Sequence, residues 1–221
     1  MEEVAVTGSS FDLTGAIHIM DPLSCQPGSH ADLYLAKWKG SIVCAKVLRY
    51  IGRPSDEEAR RALDTQAKRE FAVWSSLKHP NVLPILGFCV GFGPSLTFIS
   101  PLISGGCAPE YLRAHPFVDR LKLVSEIGEG LSYIHGKDII HGDLKGANIL
   151  VTGPPNRPVP LICDFGLSKS SNATDSTSGP CGTLGWMAIE LLSAPDDACM
   201  PTFASDMWSW GMTVLMLVSS T

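Results

Sequence analysis

The sequence predicts an α+β fold in two lobes, on three observations. Short β-type runs alternate with turn signals up to about residue 101. Beyond it, apolar residues recur at helical spacing, and a hinge is expected near 100–104 between the two regimes. A composition of 45% hydrophobic and 18% charged residues can build a core and excludes a mostly disordered chain. At 221 residues, one ordinary domain or one two-lobed domain is expected.

The first lobe is expected to open with strands over 17–20, 32–38 and 41–48, the last two joined at Lys39-Gly40. A helix follows. Ser55 is its expected cap, Glu58 the capping-box partner, and Leu63, Ala67, Phe71 and Trp74 recur on one face. Residues 82–89 and 96–101 read as two more strands around the Gly91-Phe92-Gly93-Pro94 turn, which is a hairpin connection rather than a phosphate loop. In the second lobe, Leu121, Val124, Ile127, Leu131 and Ile134 mark an amphipathic helix. The apolar pieces 149–151 and 161–163 flank a Pro-rich turn and read as a small hairpin. A last helix runs from about Ala204 to the end. Its apolar stretch, 207–218, falls short of the about 20 residues needed to span a bilayer, and reads as a buried helix.

Seventeen basic residues against 22 acidic ones give a net charge of −5, with no Lys/Arg run. That argues against a nucleic-acid backbone or an anionic membrane as partner. Seven cysteines without a C-x-x-C spacing argue against a zinc site and a secreted disulfide framework, so reduced thiols are expected. The acidic start, Met1-Glu2-Glu3-Val4-Ala5, lacks the layout of a signal peptide. Together these features predict a soluble cytoplasmic chain.

Three clusters carry chemistry. Val43-Cys44-Ala45-Lys46 lies on the third strand, His141-Gly142-Asp143-Leu144-Lys145-Gly146-Ala147-Asn148 follows the long helix, and Asp164-Phe165-Gly166 follows a short apolar strand. Singly, each has a bland reading: a solvated edge lysine, a polar loop, a turn. Together they match the needs of phosphoryl transfer, namely charge neutralisation on phosphates, oxygen ligands for a divalent metal, and a carboxylate near the attacking hydroxyl. Asp164 and Asn148 are hard oxygen donors suited to Mg²⁺. Asp143 is the carboxylate. Lys46 supplies positive charge if an acid on the neighbouring helix, such as Glu70, pairs with it.

In this order, and with Ala188-Ile189-Glu190 and Asp206-Met207-Trp208-Ser209-Trp210-Gly211 at the expected distances, the sequence resembles a eukaryotic protein kinase of the tyrosine-kinase-like Ser/Thr branch. The resemblance implies a bilobal protein-kinase-like fold. It divides the chain into an extension over 1–17, a β-rich N-lobe over 18–100 and a partial, mainly helical C-lobe over 101–221. It implies ATP and Mg²⁺ as cofactors and a protein hydroxyl as substrate. Lys46 would contact the α/β-phosphates and pair with Glu70, Asp143 would be the catalytic base with Lys145 near the γ-phosphate, and Asn148 and Asp164 would hold metal. Ser100 would be a small residue at the back of the adenine site, with the Pro101 carbonyl and the Ile103 amide binding adenine. Lys145 and Gly182-Thr183 resemble the Ser/Thr rather than the tyrosine-specific pattern.

The sequence also departs from the family. Its three glycine-loop positions read Gln26, Gly28 and Ala31, so only Gly28 keeps the residue that brings backbone N–H groups close to phosphate. Gly142 stands where many kinases have the arginine that receives an activation-segment phosphate, which argues against that form of control. Ile189 replaces a proline. The family runs on for several helices beyond 206–211, so a C-terminally truncated domain is expected, with apolar side chains of its last helix facing water. These departures keep an alternative open: a catalytically weak or inactive kinase fold serving as an interaction module.

Overall fold

The computed structural model describes residues 11–22, 31–50, 56–171, 182–193 and 199–219. They fall into two compact units, one built from residues up to 76 with 84–102, the other from 77–83 with 103 onward. The first is dominated by a sheet and the second by helices, the α+β content expected from the sequence.

The first unit is an antiparallel sheet with one long helix. Its strands are β1 (His18–Pro22), β2 (Ala31–Trp38), β3 (Ser41–Leu48), β4 (Gly87–Cys89) and β5 (Thr97–Pro101), in the order β1-β2-β3-β5-β4. The β2–β3 register runs unbroken from Ala31↔Leu48 to Trp38↔Ser41. Its two-residue turn fixes that register: Lys39 and Gly40 both adopt positive φ, 48° and 83°, the backbone that matches the twist of a tight hairpin. Alternation along β3 buries Val43, Ala45 and Val47 on one face and leaves Cys44 and Lys46 half-buried on the other. Val43 and Ala45 join Leu13, Ile17, Ala36, Cys89 and Ile99 in one apolar cluster.

Helix α1 (Glu57–Ser76) buries Ala67, Glu70, Phe71 and Trp74. The expected cap, Ser55, lies outside the described residues; the side chain that accepts from the first turn is Asp56, whose Oδ1 takes the Ala59 N–H at 3.0 Å. The expected strand over 82–89 is also shorter than read. Only Gly87–Cys89 pairs with β5, while Val82 bridges to Ile162 and Leu83 donates to the Ile162 carbonyl at 2.8 Å, in the second unit. A continuous apolar run does not say which neighbour it will pair with.

The second unit contains α2 (Ala108–Ala114) and α3 (Arg120–His135). The short strand β6 (Ile139–Ile140) comes next, followed by the hairpin β7 (Ile149–Thr152) and β8 (Val159–Ile162). β9 (Lys169–Ser170), α4 (Ile189–Leu192) and α5 (Phe203–Ser219) complete it. Leu123, Ile127, Leu131 and Ile134 form the buried stripe of α3, and Asp119 caps it by accepting the Lys122 N–H at 3.0 Å. Helix α2, absent from the sequence reading, is too short to show a clear period; Cys107, Pro109 and Glu110 shape its start. Helix α5 is buried only in part. Thr213 and Leu217 are buried, but Met207, Trp208, Leu215 and Val218 are about half exposed, in line with the expectation that apolar side chains of the last helix face water. Cys44, Cys89, Cys107 and Cys163 carry free thiols. Among the described residues no helix is long and apolar enough to cross a membrane.

Candidate active site

In the first unit Lys46 and Glu70 form an ion pair. Lys46 Nζ lies 2.7 Å from Glu70 Oε1, with the carboxylate side chain only 1% exposed and the lysine side chain 16%. The β3 alternation puts Lys46 on the face opposite Val43 and Ala45, and the helical stripe of α1 turns Glu70 inward with Phe71. A carboxylate taken this far out of water is tolerated when it is paired. The Lys46 ammonium also stands 6.0 Å above the Phe98 ring, directly across the β3–β5 register. In the same unit Ser100 is buried opposite Cys44, and its hydroxyl donates to the Pro101 carbonyl at 3.4 Å. Ala31 is the first, buried residue of β2; Gln26 and Gly28 lie outside the described residues.

In the second unit the chemistry is a network around Asp143. Its Oδ1 accepts from the Thr183 amide at 2.8 Å and from the Thr183 hydroxyl at 2.7 Å. Its Oδ2 accepts from Lys145 Nζ at 2.6 Å and from Asn148 Nδ2 at 3.1 Å. Lys145 also donates to Thr183 Oγ1 at 2.7 Å, which closes a ring of three side chains. Asn148 Nδ2 donates to the Asp143 carbonyl as well, at 2.9 Å. Both of these side-chain bonds of Asn148 use nitrogen, so Oδ1 is the atom that could ligate a cation.

The hairpin accounts for the nearness of the two expected metal ligands. β7 starts just after Asn148 and β8 ends just before Cys163, with Ile149 opposite Ile162. The Cys163 amide donates to the Asn148 carbonyl at 2.9 Å, so Asn148 and Asp164 spring from the same end of one ladder. Asp164 sits at φ 69°, a left-handed conformation that aspartate tolerates better than bulky residues. The next residue, Phe165, is fully buried with its ring 5.4 Å from that of His141. Among the described residues no group of three or more His, Cys, Asp or Glu side chains could hold a metal by itself. Two hard oxygen donors at one hairpin end suit Mg²⁺, which keeps few protein ligands and takes the rest from phosphate and water.

A second carboxylate, Asp206, holds the loop from behind. It is 1% exposed and accepts three bonds: the His141 amide at 2.7 Å, the Gly142 amide at 2.9 Å and His135 Nε2 at 2.9 Å. His141 is fully buried; its Nδ1 accepts the Asp143 amide at 3.2 Å, and its Nε2 lies 3.2 Å from the Cys163 carbonyl. It braces the loop, as expected of a packed core histidine. Gly142 adopts φ +80°, and a Cβ there would approach the Leu167 carbonyl oxygen to 2.8 Å, so this backbone favours glycine. The structural reading of the sequence missed Thr183, Asp206 and His135 as site residues. The available signal was Asp206 itself, an acid opening an otherwise apolar helix.

A family model described as the protein kinase domain matches residues 27–221. The chain belongs to that family. Among its curated relatives, mitogen-activated protein kinase kinase kinase 1a of Physcomitrium patens is 34% identical over 70% of this chain and 20% of its own length. Mitogen-activated protein kinase kinase kinase 3 of Arabidopsis thaliana is 30% identical over 87% of this chain and 31% of its own. Serine/threonine-protein kinase CTR1, also of Arabidopsis thaliana, is 29% identical over 98% and 26%. The chain therefore spans less than a third of the length of each of these relatives. The names of these relatives are those of Ser/Thr kinases, in keeping with the resemblance read from the motifs, and nothing among them favours the non-catalytic alternative.

Proposed function

We propose that this kinase domain transfers the γ-phosphoryl group of ATP to serine or threonine hydroxyls of a protein substrate, with Mg²⁺, in the cytoplasm as part of a signalling chain. The observation that carries the reading is the closed ring of Asp143, Lys145 and Thr183, with Asn148 on the same carboxylate. Asp143 takes the proton of the attacking hydroxyl as the new oxygen–phosphorus bond forms and the bond to the ADP oxygen breaks. Lys145 offsets negative charge developing on the phosphoryl oxygens, and Thr183 fixes the Asp143 carboxylate in one rotamer. Mg²⁺, bound through Asn148 Oδ1 and Asp164, would neutralise phosphate charge. Lys46, kept in place by Glu70, addresses the α/β-phosphates. Gly28, Ser100, the Pro101 carbonyl and the Ile103 amide complete the nucleotide contacts of this reading.

The test is phosphate incorporation from labelled Mg-ATP into a generic protein substrate and into peptides carrying only Ser, only Thr or only Tyr. Incorporation at Ser or Thr that disappears in Asp143→Asn is the expected result. A nucleotide-dependent rise in melting temperature without incorporation would overturn the catalytic reading. At 100 times the dissociation constant, bound nucleotide should add about 2.7 kcal/mol to stability.

A further inference from the structure

Residues 11–17 lie outside the span matched by the family model, yet they are built into the first unit. Phe11 and Leu13 flank a parallel bridge between Asp12 and Phe88: the Phe88 amide donates to the Phe11 carbonyl at 2.9 Å, and the Leu13 amide to the Phe88 carbonyl at 2.8 Å. The segment thus covers the edge of β4. Thr14 extends the attachment, its hydroxyl accepting the Val90 amide at 3.2 Å, and Asp12 Oδ1 accepts the Thr14 amide at 2.9 Å to hold the turn. Leu13 and Ile17 are buried in the sheet's apolar cluster. Gly87 makes room for the close approach, since a Cβ there would overlap the Phe11 carbonyl.

Phe11 reaches further than this edge. Its ring meets Phe71 edge-on, with centroids 5.7 Å apart, and Phe71 meets Phe88 in the same way at 5.0 Å. Phe71 follows Glu70 directly on α1. Other contacts that tie α1 to the same unit include Trp74 on Phe98 at 6.0 Å, Asp64 with the Ser95 hydroxyl at 2.9 Å and Arg60 over the Tyr50 ring at 6.0 Å. The Phe11 contact comes from a segment outside the matched family span, and it falls beside the carboxylate that pairs with Lys46.

We infer that residues 11–17 are a strap that seats α1, and that Phe11, through Phe71, is a positioning residue for the Lys46–Glu70 pair. The catalytic half of this inference rests on the proposed kinase activity; the mechanical half does not. When the ring of Phe11 is removed, α1 loses one wall of its aromatic stack, and Glu70 spends less time on Lys46.

The experiment compares the full chain with Phe11→Ala and Phe11→Tyr by amide hydrogen exchange and by kinetics. An edge-on aromatic pair is worth about a two- to tenfold change in an equilibrium. Exchange over 66–76 should therefore accelerate by about that factor in Phe11→Ala, with α3 in the other unit unchanged, and Phe11→Tyr should restore protection. Turnover should fall with exchange protection, with no change in KM for the protein substrate. In a Glu70→Gln background, Phe11→Ala should cause no further loss. Should Phe11→Ala not fold, Phe11→Leu, which keeps bulk and loses the ring, is read in the same way. Unchanged exchange over 66–76 sinks the strap. Faster exchange with an equal loss of turnover in both backgrounds sinks the positioning role. If the parent chain transfers no phosphate at all, the kinase reading fails, and exchange alone decides the strap.

Discussion

In the first unit the Lys46 ammonium meets the Glu70 carboxylate between a strand and a helix, whereas in the second Asp143 accepts from four donors on three residues and Asp206 from three more. An ion pair between a strand and a helix depends on whatever positions the helix. A network in which each carboxylate oxygen is shared by several donors fixes its own geometry, because moving one member strands the rest. The first arrangement is therefore adjustable and the second is stiff. The strap over 11–17 acts on the adjustable one.

The largest test of the stiff site is Asp143→Asn. Removing the proton acceptor should cost about 10²–10⁴-fold in turnover, read by phosphate incorporation with the KM for ATP measured alongside. A loss confined to KM would show that Asp143 serves binding instead. In the first unit, Lys46→Met leaves the Glu70 carboxylate buried without its ammonium, at a cost of about 3–5 kcal/mol in urea unfolding. The double variant Lys46→Met/Glu70→Met should recover most of that loss although it stays inactive. A double variant no more stable than the single would mean that the pair is not where the unit's electrostatic cost resides.

Asp206→Ala orphans the His141 and Gly142 amides, and each buried unsatisfied donor costs about 1–3 kcal/mol. We expect about 2–6 kcal/mol of destabilisation, together with faster hydrogen exchange over 141–143. A fall in stability with an undisturbed loop would break the claim that Asp206 fixes the catalytic segment. The smallest effect separates Thr183→Ser from Thr183→Ala. Serine keeps both hydroxyl bonds and should stay within about twofold of the parent, whereas alanine loses them and should reduce turnover about tenfold. Equal rates for the two would remove Thr183 from the ring's function.

Much of the site was legible because short-range chemistry wrote it. Lys46, Asp143, Asn148 and Asp164 stand in motifs whose spacing is set by one strand, one loop and one hairpin, and Glu70 lies on the apolar face of a helix with clear periodicity. Where the outcome depended on distant partners, reading failed. Residues 82–89 gave only a three-residue strand because Val82 and Leu83 pair with Ile162 instead. The cap of α1 proved to be Asp56, one residue along from the one expected, since both residue types suit that role.

Local pattern, by itself, marked the long helices α1, α3 and α5, the β2–β3 pair with its tight turn at Lys39-Gly40, the β7–β8 hairpin, and most of the charged residues of the candidate site. Tertiary structure alone decided that Asp206 on α5 holds the amides of His141 and Gly142, that Thr183 closes on Lys145 and Asp143, and that Phe11 lies against Phe71. The physical reason is chain separation. A motif's spacing constrains neighbours along the backbone, but a buried carboxylate or ring takes its partners from whichever distant segment the packed core brings within a few ångströms.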